Sequence, residues 1–475
     1  MSGTTGATLA YRYSAPSRLL RDELRLATSG GITEAGPAAH PYFFTGFLAE
    51  PAPAAQALLA TAAIARAQYH VAASTIQLLL RDPVVTSNAD RLRFESFSGC
   101  CGVHARLDLP PEALAAMPAA SGCTNVDFNP PMRAALAGAV ATASQLLLKV
   151  GDEEVTAVTE RASVTERKVE LPSRWIKGFG EVSALHAWMR PVAELTGADA
   201  TRFIAGLPRA ARGPLWAVPA GRSLSLTATL KPGGACLAGP ERLAELRPLL
   251  RFTKRLRVYA PPSADGDFGA GAAGHAALPA PSAWELTLGG TGARFTLTLS
   301  PEKYRGFSGE GALLGAFAVA DATAEDAGLI GLLLGWDPVI DPASLAASAG
   351  LSAERVAAAL AVLASSGAVG YDLACGAYFH RELPLGAEVE RVHPRLADAR
   401  ELVAAGQVTL TEGGAMSGDH RVSFADGVDT CTCPWWGKHR GTRGPCKHVL
   451  AARIALGAGP GDPRITGQVA TGEAR

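Results

Sequence analysis

The feature that most constrains this chain is a set of three cysteines and one histidine near its C-terminal end. Cys431-Thr-Cys433 is followed, after the twelve residues 434–445, by Cys446-Lys-His448. Zinc prefers thiolate and imidazole ligands in tetrahedral geometry, and a set of three cysteines and one histidine leaves no position open for water. The pattern therefore predicts one structural zinc ion held by these four residues.

The spacing within each pair suits a shared ion. One intervening residue places Cys431 and Cys433 on the same side of an extended strand, because side chains repeat with a period of two. Pro445 precedes the second pair, and the following residues read as a helix in which Leu450 and Ile454 share a face. The last two ligands are therefore predicted at the start of a helix.

The order Cys-x-Cys, a variable gap and Cys-x-His resembles the SWIM zinc finger, known in bacterial helicases, plant Mutator-like transposases and other proteins. The resemblance covers about residues 402–456, roughly an eighth of the chain. It implies a small ββα unit, with strands at 407–410 and 421–424. It also implies interaction with nucleic acid or with protein.

Three segments outside the finger resemble a group of uncharacterised actinobacterial SWIM-finger proteins. They are Phe94–Val103, Asn125–Pro131 and Trp175–Val182. The resemblance implies association with AAA-type ATPases and von Willebrand A-domain proteins. No individual residue of this chain demonstrates that association.

The loop between the two ligand pairs is basic and aromatic. Residues 431–456 contain no Asp or Glu, and five cations against a three-thiolate zinc centre leave a net charge of about +4. Basic and aromatic side chains together can bind phosphates and stack on bases. Alternatively, they hold a solvated loop over the metal. The candidate nucleic-acid contacts are Trp435, Trp436, Lys438, Arg440, Arg443 and Lys447.

Length and composition predict a multidomain α+β protein. The chain has 475 residues, which exceeds the size at which one hydrophobic core stops growing. Mixed α/β regions are predicted at 1–135 and 136–320, the second with a flexible Gly/Ala/Pro loop at 263–282. Within these regions we predict a short helix that stops near Gly138 and a helix with Trp188 and Leu195 on one face. Short strands are predicted at 92–94, 103–107, 284–288 and 295–299, with Gly-rich hairpin turns at 233–234 and 289–290. A winged-helix-like segment is predicted at 321–390, the zinc finger at 391–460 and a disordered tail at 461–475.

The winged-helix-like segment is predicted from two helices and a strand pair. Residues 341–350 and 351–363 read as helix, turn and helix with Ser352 as a cap, and strands follow near Val369 and Phe379. DNA-reading helices usually carry several cations or amides, whereas the second helix has only Glu354 and Arg355 as charges. The net charge from 337 to 383 is −3. We interpret this segment as protein-facing or structural.

Charge, cysteine content and leader sequence restrict the remaining possibilities. Lys plus Arg equals Asp plus Glu at 44 each, so any nucleic-acid binding must come from local patches. No secretion signal or bilayer span is visible, which predicts a cytoplasmic protein without membrane contact. Cys100, Cys101, His104 and Cys123 are interpreted as buried residues, because adjacent cysteines on a strand point to opposite faces.

No catalytic motif is recognisable, so we predict a non-enzymatic protein, with an unfamiliar enzyme in the middle domain as a lesser possibility. The first hypothesis is a zinc-stabilised protein whose finger binds nucleic acid, DNA rather than RNA, or protein. The alternative is an adaptor or scaffold in a bacterial system of AAA ATPase and von Willebrand A-domain proteins, without direct nucleic-acid contact. The sequence alone does not decide between them.

Overall fold

A computed structural model gives the fold. It describes residues 42–69, 83–88, 90–169, 171, 173–211, 213–229, 231, 233–262, 279–302, 306–309, 322–383, 394–425, 428–440 and 443–457. It also describes five short strands: β1 (Arg12–Tyr13), β2 (Arg18–Leu20), β3 (Glu23–Arg25), β4 (Ser29–Thr33) and β5 (Gly36–Ala38). Residues 263–278 of the loop predicted at 263–282, and the tail predicted at 461–475, lie outside the described residues. Ser282, the last residue of the predicted loop, begins a strand.

Residues 42–167 contain the same order of elements twice: a strand, a helix and three strands. The first unit is β6 (Tyr42–Phe47), α1 (Pro51–Arg66), β7 (Val84–Ser87), β8 (Leu92–Phe97) and β9 (Val103–Leu109). The second is β10 (Gly122–Asn125), α2 (Pro130–Thr142), β11 (Leu147–Gly151), β12 (Glu154–Val158) and β13 (Ser163–Arg167). The first strand of each unit pairs with the other unit, β6 with β11 and β10 with β7. The two units are therefore interlocked, and residues 135 and 136 lie within α2.

Residues 173–299 also form two units in which the first strand of each unit pairs with a strand of the other. After α3 (Ser173–Trp188) come β14 (Arg190–Thr196), α4 (Gly197–Ala205), β15 (Leu215–Ala220) and β16 (Ser223–Thr227). Then follow β17 (Ala235–Leu237), α5 (Pro240–Leu243), a 3-10 helix (Ala244–Phe252), β18 (Thr253–Ala260), β19 (Ser282–Leu288) and β20 (Ala293–Leu299). Here β14 pairs with β18, and β17 pairs with β15.

One antiparallel sheet joins the two halves. Its order is β10-β7-β8-β9-β20-β19-β18-β14, and β9 pairs with β20 at the junction. One face packs in the main hydrophobic core, in which Phe94, Leu107 and Leu297 of the sheet and Leu58 and Ile64 of α1 are buried. The regions predicted as 1–135 and 136–320 therefore share one sheet and one core.

The opposite face of this sheet carries charged side chains that are also buried. Because side chains alternate along a strand, Arg93 and Glu95 of β8 and Arg106 and Asp108 of β9 share this second face. Burying charges is costly unless they are paired. Each of the four carries an ion pair within the fold.

The predicted winged-helix-like segment covers part of this charged face. It follows α6 (Gly306–Gly309) and consists of α7 (Ala322–Leu333), α8 (Pro342–Ala349), α9 (Ala353–Ser365), β21 (Val369–Asp372) and β22 (Ala377–His380). The Ser352 hydroxyl accepts a hydrogen bond of 3.4 Å from the Arg355 amide, so the predicted cap is present. Asp372 and Arg381 form ion pairs with the sheet.

Three local predictions were wrong in detail. A helix was predicted to carry Trp188 and Leu195 on one face, but α3 ends at Trp188 and Leu195 lies on β14. The predicted stop of a helix near Gly138 is absent, because α2 continues to Thr142. Packing of α2 against α1 outweighs the weak helix propensity of one glycine. The turn at Gly233 does not form a hairpin, because β16 and β17 each pair with β15.

No single helix among the described residues is both long and apolar enough to cross a bilayer. The pair α8 and α9 meets the length and composition requirement only together, and the two helices are bent by 108° relative to each other.

Candidate metal centre

The four predicted ligands are brought together by the C-terminal unit. It consists of α10 (Pro394–Ala404), β23 (Val408–Thr411), β24 (Gly414–Ser417), β25 (His420–Ala425), β26 (Val428–Cys431), α11 (Pro434–His439) and α12 (Lys447–Leu456). The strands form one antiparallel sheet in chain order. The predicted ββα elements correspond to β23, β25 and α12, and two further strands and the short helix α11 complete the unit.

Each ligand lies at the end of an element. Cys431 is the last residue of β26, where it pairs with Val422 of β25. Cys433 is the N-cap of α11 and Cys446 the N-cap of α12, which places His448 in the first turn of α12. The strand end and the two helix starts therefore converge on one point.

The ligand atoms fit a single zinc ion. The three Sγ atoms and an imidazole nitrogen all lie within 4.8 Å of one another. In a tetrahedral site with Zn–S bonds of about 2.3 Å, two sulfurs lie roughly 3.8 Å apart. The set needs only a small contraction to close around an ion. Among the described residues it is the one group found that could hold a metal.

His448 has the features of a zinc ligand. Its side chain is buried, and its Nδ1 atom has no hydrogen-bond partner within the chain. Burial, together with nearby His420 and Lys447, lowers the pKa of His448 to about 4. The imidazole is therefore neutral at physiological pH, and the neutral form is the one that binds a metal.

Helix starts surround the thiols with amide donors. The Trp436 amide donates a hydrogen bond of 3.3 Å to the Cys433 sulfur. Helix N-termini favour negative charge, so they stabilise the thiolates that bind zinc.

A small hydrophobic core packs against the metal site. Val422, Phe424 and Val449 are buried beside the three cysteines. A second cluster joins Leu396 of α10 to Leu450 of α12. The predicted pairing of Leu450 with Ile454 on one face is present, because both contact this second cluster. These clusters are small, so the metal is an important part of what holds the unit together.

The six candidate nucleic-acid contacts have different surroundings. Lys438 and Arg440 are exposed on and just after α11, and Arg443 is partly exposed. Lys447 lies 3.4 Å from Asp398 of α10 in a solvent-exposed ion pair. Trp435 and Trp436 are half-buried against the core of the finger. Of the set, Lys438 and Arg440 are therefore the side chains most fully presented to solvent.

Arg395 is a supporting residue that the sequence analysis did not identify. Its guanidinium lies 4.7 Å from the centroid of the Trp435 ring, and it donates hydrogen bonds of 2.9 Å to the carbonyls of Arg443 and Pro445. Arg395 thereby fixes the loop that ends at Cys446. No motif marks this residue, because it lies about fifty residues upstream on another helix.

Three cysteines outside the finger are buried as predicted, although Cys100 and Cys101 lie in a turn and not on a strand as the prediction assumed. Cys100, Cys101 and Cys123 are buried, and burial raises the pKa of Cys123 to about 12. Cys101 has a φ of 52° in the turn between β8 and β9. Within the described part of the chain these cysteines and His104 do not form a metal-binding group.

Two of the three segments with the wider resemblance meet in one buried cluster. Phe97 of the first segment lies 5.7 Å from Trp175 and 4.9 Å from Phe179 of the third, measured between ring centroids. Val126 and Phe128 of the second segment belong to the main hydrophobic core instead. The aromatic residues of the first and third segments are therefore explained by packing between α3 and the sheet.

One comparison with known proteins identifies the finger. A family model described as SWIM zinc finger matches residues 420–457. No curated protein matches the chain in sequence. The family match includes all four predicted ligands.

Solved structures give a looser likeness to about half of the chain. Proliferating Cellular Nuclear Antigen from Entamoeba histolytica is 10% identical over 55% of this chain and 99% of its own, with a TM-score of 0.31. The structure of the C-terminal region of FEN-1 bound to A. fulgidus PCNA is 9% identical over 54% of this chain and 98% of its own, with a TM-score of 0.35. The PCNA2-PCNA3 complex from Sulfolobus tokodaii is 9% identical over 55% of this chain and 100% of its own, with a TM-score of 0.33. We draw no conclusion about function from likenesses of this size.

The finger itself is supported by two independent observations. The family model matches its sequence, and the fold brings four ligand atoms to one point. Residues 420–457 are therefore a SWIM zinc finger, and Cys431, Cys433, Cys446 and His448 fit one structural zinc ion.

Proposed function

We propose that this chain is a cytoplasmic, non-enzymatic binding protein whose zinc finger holds nucleic acid, DNA in preference to RNA. The observation that carries the proposal is the exposure of Lys438 and Arg440 beside the site. No acidic residue lies between Cys431 and Leu456. In this proposal zinc holds the fold of the finger and so fixes the positions of Lys438 and Arg440 on its surface.

The geometry favours phosphate contacts over base stacking. One face of Trp435 is covered by Arg395, and His439 lies 4.7 Å from the same ring. Arg453 is held by Asp429, with an Nε–Oδ2 distance of 2.6 Å. Binding that depends on phosphates is strongly sensitive to salt and weakly sensitive to sequence.

The test measures binding of a fluorescent duplex DNA, a matched RNA duplex and single strands of each at several salt concentrations. Reversal of both charges in Lys438→Glu/Arg440→Glu is expected to weaken DNA binding and to reduce the salt slope by about 2, or about 1 per lost phosphate contact. The matched control is Lys254→Glu, an exposed residue on β18. Unchanged binding in the double variant, with zinc retained, would refute the proposal.

An adaptor role is the second candidate, and one observation favours it. The hairpin and α9 of the winged-helix-like segment pack against the rest of the chain, so they are not presented to a DNA groove. In this alternative the chain joins components of an AAA ATPase and von Willebrand A-domain system. Binding of a purified component that survives high salt and nuclease, with no DNA binding by the finger, would favour the adaptor.

A further inference from the structure

The winged-helix-like segment uses its usual DNA-contacting elements for internal packing. Val356, Ala359 and Leu360 of α9 are fully buried, and the helix packs on α7 and α3. The hairpin lies on the charged face of the sheet, where Arg381 is held by Glu95. The elements that this segment presents to solvent are therefore α7 and α8.

The exposed side of α7 is apolar. Leu329, Leu332 and Leu333 are 40%, 86% and 41% exposed, and Val339 in the following loop is 43% exposed. We call the three leucines, which share one side of α7 by their i, i+3 and i+4 spacing, the leucine patch. The opposite side of α7 packs within the protein, because Ala327 and Ile330 are buried in the core of the segment. Clustered exposed apolar residues on a protein surface mark interaction sites, whereas single ones are ordinary.

The charges around the leucine patch are acidic. Glu325 is exposed one helical turn before Leu329, and Asp341 is exposed two residues after Val339. The cation nearest in sequence, Arg355, is held by Asp326 through hydrogen bonds of 2.6 and 2.8 Å. The only other cation between residues 322 and 383 is the buried Arg381. The rim of the patch therefore complements a positively charged partner.

We propose that the leucine patch is a docking site for an amphipathic helix of another protein, with an apolar face flanked by Lys or Arg. The apolar face would cover Leu329, Leu332 and Leu333, and the cations would lie near Glu325 and Asp341. Helix-in-groove recognition of this kind places apolar anchors at helical spacing. The site is separate from the zinc finger and does not depend on the function proposed for it.

The experiment uses the full-length, zinc-loaded chain and a designed peptide of about 18 residues, or five helical turns. The peptide carries Leu at positions i, i+3, i+4 and i+7 of one face and Lys elsewhere. Its controls are a scrambled peptide of identical composition and a version with Glu in place of Lys. Binding is measured by fluorescence anisotropy, and the mass of the chain in solution by light scattering.

Leu332→Asp is expected to weaken binding of the Lys peptide by about tenfold or more, as loss of a central anchor does. Glu325→Lys/Asp341→Asn is expected to weaken it and to improve binding of the Glu peptide. Asn at 341 keeps an oxygen that accepts the Ala343 amide at the start of α8. The matched control is Met117→Asp, since Met117 is 57% exposed elsewhere. All variants alter exposed side chains, and their melting temperatures should match that of the wild type.

Several outcomes would overturn the proposal. Equal binding of the scrambled peptide would mean unspecific attraction, and equal loss in Met117→Asp would remove the role of the patch. A wild-type dimer that becomes a monomer in Leu332→Asp would show that a second copy of the chain occupies the patch. Absence of any peptide binding by the monomeric wild type would also reject it.

Discussion

Asp372 of the hairpin accepts a hydrogen bond of 2.7 Å from Arg294 of the eight-stranded sheet. The same carboxylate lies 3.5 Å from Arg93 and 3.8 Å from Arg106. It also accepts hydrogen bonds from the amides of Ala374 and Cys375. One carboxylate thus offsets three buried or nearly buried guanidinium groups and fastens the winged-helix-like segment to the sheet.

Removal of this carboxylate should be strongly destabilising. Asp372→Ala leaves Asp108 as the carboxylate that Arg93 and Arg106 still share, and leaves Arg294 with Glu285 at 3.8 Å. Removing one partner of a buried ion pair costs about 3–5 kcal/mol of unfolding free energy. The control is Glu382→Ala, whose side chain is 67% exposed. Denaturant unfolding measures the loss, and hydrogen exchange should show faster opening of residues 369–380. A loss no larger than that of the control would contradict this account.

The unfolding free energy should fall in acid, because titratable groups are buried on or against the charged face of the eight-stranded sheet. Burial lowers the pKa of both His104 and His186. Burial opposes ionisation of Asp372, but Arg106, Arg294 and Arg93 outweigh it and lower its pKa. All three groups bind fewer protons in the folded chain than in the unfolded chain, so the unfolding free energy rises with pH.

The two kinds of group act in different pH ranges. The histidine contribution is present above about pH 6.5 and is lost as the pH falls below it, whereas the carboxylate contribution is lost below about pH 4. His186→Gln should flatten the dependence of melting temperature on pH between these values. Thr298→Ala is the control, because it removes the 2.9 Å hydrogen bond to His186 but no titrating group. Equal slopes in wild type and His186→Gln would contradict the assignment.

The turn between β19 and β20 holds the carboxylate of Glu50. The Gly290 amide, the Thr291 amide and the Thr291 hydroxyl donate to Glu50 Oε2 at 2.8, 3.1 and 2.9 Å. Glu50→Ala should therefore lower the unfolding free energy by about 1–3 kcal/mol, since these bonds involve a charged acceptor. Glu112→Ala, an exposed acid on the 3-10 turn at 111–113, should change it by less than about 0.5 kcal/mol. Equal effects would show that the turn does not need Glu50.

Arg395 should influence zinc affinity without touching the ion. Arg395→Ala removes the two hydrogen bonds that hold the loop before Cys446, and loss of outer-shell support typically costs about 10–100-fold in metal affinity. Competition with a chromophoric chelator measures the change. The control is Arg400→Ala on the same helix, which should bind zinc like the wild type. Equal zinc affinity in Arg395→Ala and Arg400→Ala would show that Arg395 packs against the loop without supporting the zinc ligands.

Removal of zinc should unfold the finger and leave the large sheet intact. The core around the site is small, whereas the sheet of residues 84–299 has its own extensive core. Structural zinc sites contribute folding free energy directly. One zinc per chain is expected by elemental analysis, and Cys446→Ser should lose it. After chelation, hydrogen exchange should increase at 408–457 and stay low in β8, β9 and β20. Protection of the finger without metal would contradict the structural role.

Much of the local structure was predictable because it depends on neighbouring residues. Short strand patterns predicted parts of β8, β9, β19 and β20, and Ser352 predicted the start of α9. Leu195 was misassigned because a short apolar stretch fits a helix face as well as a strand. The pairing of β9 with β20 joins residues almost two hundred positions apart, and no local pattern specifies such a partner.

The sequence by itself determined the zinc site, because the ligand types and their spacing leave one chemistry and one convergent arrangement. It did not determine the support from Arg395, nor the role of Asp372, which the sequence shows only as one of the acids in the net charge of residues 337–383. Those depend on which elements pack together, and packing is decided by the burial of whole faces. The tertiary structure alone therefore decided that the segment at 322–383 buries its hairpin and leaves the leucine patch on the surface.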